Sequence, residues 1–268
     1  MQIAQIRSGF IPTRLILNIS PRRRRFLARR PATRPGWRYD GGREPALSPP
    51  GSEIEVVFDL VCPWCFLGIR RLRRALRRRP DIHAELRWRP FLLNPDAGPA
   101  GMQRQDYMLR KFGGEERARR LHNTMTELGK AEGIVFRFDL MRRVPPSVDA
   151  HRLVRYAAQH GAADTVVDLL FEAHFTQGTI SATPRSWFGW PCWRAWNASP
   201  WRFLTSGLEA DAVHAENLRA HRLGINGVPC FVMSGRHGDS GGHAIAGAQE
   251  PEVLERLMDV ALAEAAEF

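Results

Sequence analysis

The chain has 268 residues, 44% of them hydrophobic, and a formal net charge of +11. That length buries one sizeable core or two small ones, and no apolar run reaches the roughly 18 residues that span a bilayer, so a water-soluble protein with no membrane partner is expected. The excess charge sits in the first fifty residues, where eleven Arg oppose only Asp40 and Glu44; the body is near neutral and lacks the clustered basic face of a specific nucleic-acid binder.

Residues 1–52 mix Arg, Pro and Gly, with hydrophobic patterning only around Ile11–Ile19, and read as a disordered basic N-terminal extension. Arg23-Arg24-Arg25-Phe26-Leu27 mimics a twin-arginine export signal. Ala28-Arg29-Arg30-Pro31 follows, however, where export needs an apolar segment. The stretch is Arg-rich and acid-poor, as in an organelle transit peptide. A start codon assigned too far upstream gives the same composition and is the favoured reading, with a cytoplasmic location.

Ile54–Leu60 is short, apolar and rich in β-branched and aromatic residues, which predicts a buried strand ending at the cysteines. Phe66, Ile69, Leu72 and Leu76 then recur at helical spacing, with arginines on the other face, until Pro80 stops the helix. Those arginines read as a solvated helix face. His83–Trp88 is a second predicted strand, and Pro90–Pro99 is turn-rich. Helical patterns fill 103–175, broken at Gly113-Gly114, Gly133 and Pro145-Pro146. Two late strands, Cys230–Met233 and His243–Ala246, and a helix over Val253–Ala265 close the chain. The order strand, helix, strand, helical block, strand, strand, helix fits an α/β thioredoxin-like fold with an inserted helical domain. The thioredoxin-like part is expected to cover 53–100 and 215–268, and the insertion 101–214.

Cys62-Pro63-Trp64-Cys65 is a CxxC pair between a predicted strand and a predicted helix, the context that marks a redox dithiol. Two intervening residues on a first helical turn bring the sulfurs within bonding reach. The helix N-terminus offers unpaired N–H groups and a positive dipole end to a thiolate. Cys62, nearer the tip, is the expected nucleophile and Cys65 the resolving thiol. Pro63 suits the first turn because its missing N–H costs nothing there. A zinc site would need two more ligands at matching spacing; Cys192 and Cys230 stand alone, so no metal is expected.

Gly227-Val228-Pro229 precedes the predicted strand Cys230–Met233. A proline at a strand entrance is tolerated on its own account. The functional reading is a cis Val228-Pro229 bond facing the dithiol, offering the Val228 backbone to a substrate peptide and keeping metal off the sulfurs. Pro63, Trp64, Val228 and Pro229 are therefore the candidate substrate-binding residues. Cys230 should point away from them as a buried thiol. His151 and His221 read as satisfied structural histidines.

The run Phe58-Asp59-Leu60-Val61-Cys62-Pro63-Trp64-Cys65-Phe66-Leu67-Gly68, with Trp88-Arg89-Pro90-Phe91-Leu92-Leu93-Asn94-Pro95, resembles the FrnE-like branch of the DsbA superfamily. Ala150-His151-Arg152-Leu153, Phe171–Phe175, His221–Pro229 and Ile245–Gln249 extend the resemblance over about 53–178 and 203–264. It implies a thioredoxin fold with an inserted helical domain, a redox dithiol and a cis proline at Pro229. The expected activity is protein thiol–disulfide exchange on thiol or disulfide proteins or small thiols. It needs no cofactor beyond the redox-active disulfide, with glutathione as a candidate co-substrate. The rivals are a glutathione-dependent transferase or isomerase of the related kappa and 2-hydroxychromene-2-carboxylate branch, and a chaperone-like binder that uses the insertion. That branch generally carries Ser at the nucleophile position, which the intact CPWC opposes.

Thr179 to about Trp201 is anomalous. Five of the eight tryptophans fall there, at Trp187, Trp190, Trp193, Trp196 and Trp201, with Pro184, Pro191 and Pro200 interrupting any helix. Trp has the single codon TGG, so reading one base earlier turns each into Leu, Val or Met. A back-translation with permitted codons then gives a capped helix with helically spaced leucines. The segment reads as out of frame between compensating shifts, which predicts exposed Trp side chains.

Overall fold

The computed structural model describes residues 17–18, 52–179, 187, 200–234 and 243–266. Strand β2 (Ser52–Phe58) runs parallel to β3 (Ala84–Pro90), with helix α1 (Pro63–Arg78) as the crossover. On its other side β2 pairs antiparallel with β6 (Cys230–Ser234), and β6 with β7 (His243–Ala246). Val56 thus has Trp88 on one side and Phe231 on the other. A central strand is paired along both edges, a setting that suits the β-branched Ile54, Val56 and Val57. The sequence reading assigned no strand to Leu17–Asn18; these residues form β1, which pairs antiparallel with the outer edge of β7.

Alternation along the strands divides the interior in two. Ile54, Val56, Phe58, Phe231 and Met233 face one side, where α1 and the C-terminal helix α8 (Pro251–Ala266) cover them with Phe66, Ile69, Leu72, Leu254 and Leu257. Val57, Cys230 and Val232 face the other side, against Ala220, Ile225 and Phe91. The second cover is helix α7 (Ala210–Arg222). The boundary expected at 214 and 215 therefore cuts through a helix that lies on the sheet.

Between β3 and β6 come the short pair β4 (Met102–Gln103) and β5 (Arg143–Val144), and the helices α2 (Arg104–Phe112), α3 (Glu115–Ala131), α4 (Val148–Ala158), α5 (Ala163–Phe175) and α6 (Pro200–Thr205). Phe171 and Phe175 of α5 stack on Phe66 of α1, with centroids 5.2 and 6.1 Å away. The helical block and the sheet domain thus share one core.

Two readings need correction. The arginines of α1 are not simply solvated, because acids of the surrounding elements meet them. Arg70 pairs with Glu172 at 2.7 Å, Arg73 with Asp168, and Arg71 with Glu132 and Glu250 at 3.3 and 2.6 Å. Arg71 is only 5% exposed and also donates to the Ala248 carbonyl at 2.7 Å. Of the five clustered tryptophans, Trp187 is the one whose side chain is described. It is buried in the main core rather than exposed. The rest of the segment read as out of frame lies outside the described residues, apart from Thr179 and the start of α6.

Candidate active site

The site is built where β2 stops. The apolar run of β2 ends at Phe58, and the Cys62 N–H donates to the Asp59 carbonyl at 3.0 Å, turning the chain into α1. Cys62 is the residue before the first helical turn, with extended backbone and no side-chain cap, and Pro63 occupies the first position. Its carbonyl accepts the Cys65 N–H at 3.0 Å. The first turn of α1 carries no acidic residue, so nothing on the helix competes with a thiolate for the N–H groups at its tip.

Both cysteines are free thiols. Cys65 is fully buried, and its thiol is held well above the ordinary range. Burial is the main cause; a hydrogen bond to Cys62 and the Cys62 charge add to it. Burial thus favours the protonated form of Cys65, while Cys62 stands at the helix tip.

The Val228 carbonyl lies 3.7 Å from the Cys62 sulfur, and the Val228-Pro229 bond is cis. The Pro229 carbonyl accepts the Gly247 N–H at 2.7 Å, fixing this entrance to β6 against the end of β7. Helix α1 approaches it closely. A Cβ on Gly68 would stand 2.9 Å from Pro229 Cγ and 3.3 Å from the Ala248 Cα. Cys62, Cys65, Val228 and Pro229 thus lie together, with Pro63 and Trp64 half-buried on the connecting turn. Cys230 points into the opposite cluster, where burial pushes its thiol up to about 11.

Sequence reasoning missed Asp59. It is fully buried, accepts the Leu93 N–H at 2.7 Å, and has the His151 Nε2 3.6 Å from its other oxygen. The available signal was a carboxylate between Phe58 and Leu60, flanked by apolar residues on both sides. His151 is not the satisfied histidine expected, since neither ring nitrogen has a hydrogen bond among the described residues. His221 is exposed and leans on Phe91 at 4.9 Å. Among the described residues no group of three or more His, Cys, Asp or Glu side chains could hold a metal ion.

A helical block spliced into a thioredoxin-like sheet, with a dithiol at the start of the crossover helix, defines the DsbA-like superfamily of thiol–disulfide oxidoreductases. The chain belongs to the DSBA-like thioredoxin domain family, whose sequence pattern matches residues 53–259. No curated protein sequence matches it.

Among solved structures, it is similar to a probable DsbA oxidoreductase of Streptomyces coelicolor. That pair shares 24% identity with a TM-score of 0.68, over 80% of this chain and 91% of that one. A 2-hydroxychromene-2-carboxylate isomerase matches at 17% identity and TM-score 0.55, over 80% and 98% of the two chains. The cytosolic disulfide reductase DsbM of Pseudomonas aeruginosa, solved with GSH, matches at 16% and 0.53, over 79% and 99%. At these identities the likenesses show the fold. None of the described helices is long and apolar enough to cross a membrane.

Proposed function

We propose that the protein is a thiol–disulfide oxidoreductase that works through Cys62 and Cys65. The observation that carries this is the asymmetry of the pair: Cys62 at the helix tip, 3.7 Å from the Val228 carbonyl, and Cys65 buried behind it as a retained thiol. Cys62 thiolate attacks a substrate disulfide, forming a mixed disulfide and expelling one thiolate. Cys65, once deprotonated, attacks the Cys62 sulfur, closes the Cys62–Cys65 disulfide and releases the second thiol. A substrate segment lying along the Val228 backbone, between Trp64 and Pro229, would present its sulfur to Cys62 by strand-like pairing. The substrates are thiol or disulfide proteins or small thiols in the cytoplasm, and glutathione serves as co-substrate.

The deciding experiment is the equilibrium redox potential against glutathione, together with reduction of insulin. Two-electron equilibration of the pair and turnover of insulin support the reading. Glutathione conjugation to an aromatic electrophile without dithiol turnover would favour the transferase or isomerase rival, which the likeness to the chromene-carboxylate isomerase keeps in view. Holdase activity that survives a double Cys-to-Ser exchange would favour the chaperone-like one.

A further inference from the structure

Strand β3 ends the sheet on the side opposite β1, and among the described residues no strand pairs with its outer edge. The Phe91 N–H donates to the Phe58 carbonyl at 2.9 Å, and Phe58 stands opposite Pro90 in the register. Backbone direction alternates along a strand, so Glu85, Arg87 and Arg89 turn their N–H and C=O groups toward β2. Ala84, Leu86 and Trp88 turn theirs outward, and among the described residues these groups have no hydrogen-bond partner. Pro90, the next outward residue, has no N–H to leave unpaired, as suits a proline on a free edge.

The register of β3 with β2 runs without a bulge from Ala84 to Pro90. A cavity of about 490 Å³ lies along the strand, closed on its far side by Val154 and Ala158 of α4 and Ala163 of α5. Ala84 and Leu86 are only half-buried. On the opposite face the Glu85 and Arg87 side chains are 67% and 49% exposed. Charged side chains on an edge usually discourage pairing. These two are of opposite sign and two residues apart, so a strand of the same sequence running the other way matches both.

We propose that a second copy of this chain adds its own β3 to this edge, antiparallel, about a two-fold axis through Leu86. In that register Leu86 faces Leu86, and Ala84 faces Trp88 on both sides of the axis. These are the outward residues, so each pair exchanges its N–H and C=O groups. Glu85 of each copy then stands opposite Arg87 of the other, in the non-hydrogen-bonded pairs where side chains come closest. A slip of one residue would set outward groups against inward ones. A slip of two would set Arg87 against Arg87 in one sense and Glu85 against Glu85 in the other, so charge selects the register. The paired Leu86 side chains cover apolar surface that one copy leaves half open. Both β2 and β3 run toward the dithiol, so an antiparallel joint sends the two sites to opposite ends and leaves both accessible.

The test follows the mass of the full-length chain against concentration by sedimentation equilibrium, with reductant present so that no cysteine cross-links the copies. A monomer–dimer equilibrium is expected. Glu85→Arg and Arg87→Glu each turn attractive pairs into repulsive ones at exposed positions, and each should weaken the dimer about tenfold or more. The double exchange remakes the opposite-sign pairs and should restore it. Hydrogen exchange adds the location: the Ala84, Leu86 and Trp88 amides should exchange more slowly in the dimer than in the monomer. A chain that stays monomeric overturns the proposal, and slow exchange of those amides in that monomer would assign the edge to a segment of the same chain. A dimer indifferent to the single exchanges, or not restored by the double one, overturns it as well, because the copies then meet elsewhere.

Discussion

The Cys62 sulfur and the Val228 carbonyl, 166 residues apart in sequence, meet at 3.7 Å. The contact joins the tip of α1 to the entrance of β6, so a thiol at the helix end faces a backbone acceptor that a bound chain could share.

Cys65→Ser should accumulate mixed disulfides with substrate thiols, whereas Cys62→Ser should accumulate none. The attacking sulfur survives in the first variant and is lost in the second. Non-reducing mass spectrometry after exposure to a disulfide substrate reads the outcome. The opposite pattern would exchange the two roles.

Gly68→Ala puts a methyl 2.9 Å from the Pro229 ring and 3.3 Å from backbone at Ala248, and neither is the loose end of a side chain. Overpacking of this kind costs about 1–3 kcal/mol, against up to about 1 kcal/mol regained in helix propensity. A net loss of about 1–2 kcal/mol in urea unfolding is expected, with slower attack by Cys62. A variant as stable and as fast as the parent would show that α1 can move away from Pro229.

Arg71 and Glu132 form a nearly closed ion pair, with side chains 6% and 4% exposed. Arg71→Ala leaves the Glu132 carboxylate short of compensation and should cost about 3–5 kcal/mol; Arg74, 3.2 Å from the same carboxylate, holds the loss toward the lower end. Arg119→Ala, which breaks an exposed pair with Glu116, should cost under about 0.5 kcal/mol. Denaturant midpoints of the two variants measure the contrast, and equal losses would refute it.

His174 is pushed by burial from the ordinary 6.5 down to about 4 in the folded chain. The unfolded chain therefore takes up this proton first on acidification. The group's contribution is present in full above about pH 6.5 and is lost as the pH falls to about 4, amounting to up to about 3 kcal/mol. His174→Gln should flatten the acid limb of stability against pH by up to one proton. A parallel acid limb in the two proteins would mean that His174 is not the sensor.

Much of the architecture was legible because it follows from local spacing. The β-branched run at β2, the helical recurrence of Phe66, Ile69 and Leu72, and the CxxC between them are set by residues only a few positions apart. The predicted elements accordingly fall on β2, α1, β3, β6, β7 and α8, with boundaries displaced by a few residues. A one-dimensional pattern reports the period of an element and the chemistry of a short motif. It does not report which distant residue fills the space next to it.

The tertiary structure decided the rest for that reason. Whether the arginines of α1 meet water or carboxylates depends on Glu132, Asp168, Glu172 and Glu250, which only folding brings within reach. Asp59 reads in the sequence as one of two acids, with Glu55, in an apolar run; its burial beside His151, contributed by a helix of the inserted block, appears only once α4 is laid against the end of β2. The sequence determined the dithiol and the helix that carries it. The burial that holds Cys65 as a thiol, and that of Asp59 and His151, are properties of the surroundings, since the cost of a charge depends on the atoms and solvent around it rather than on its neighbours along the chain.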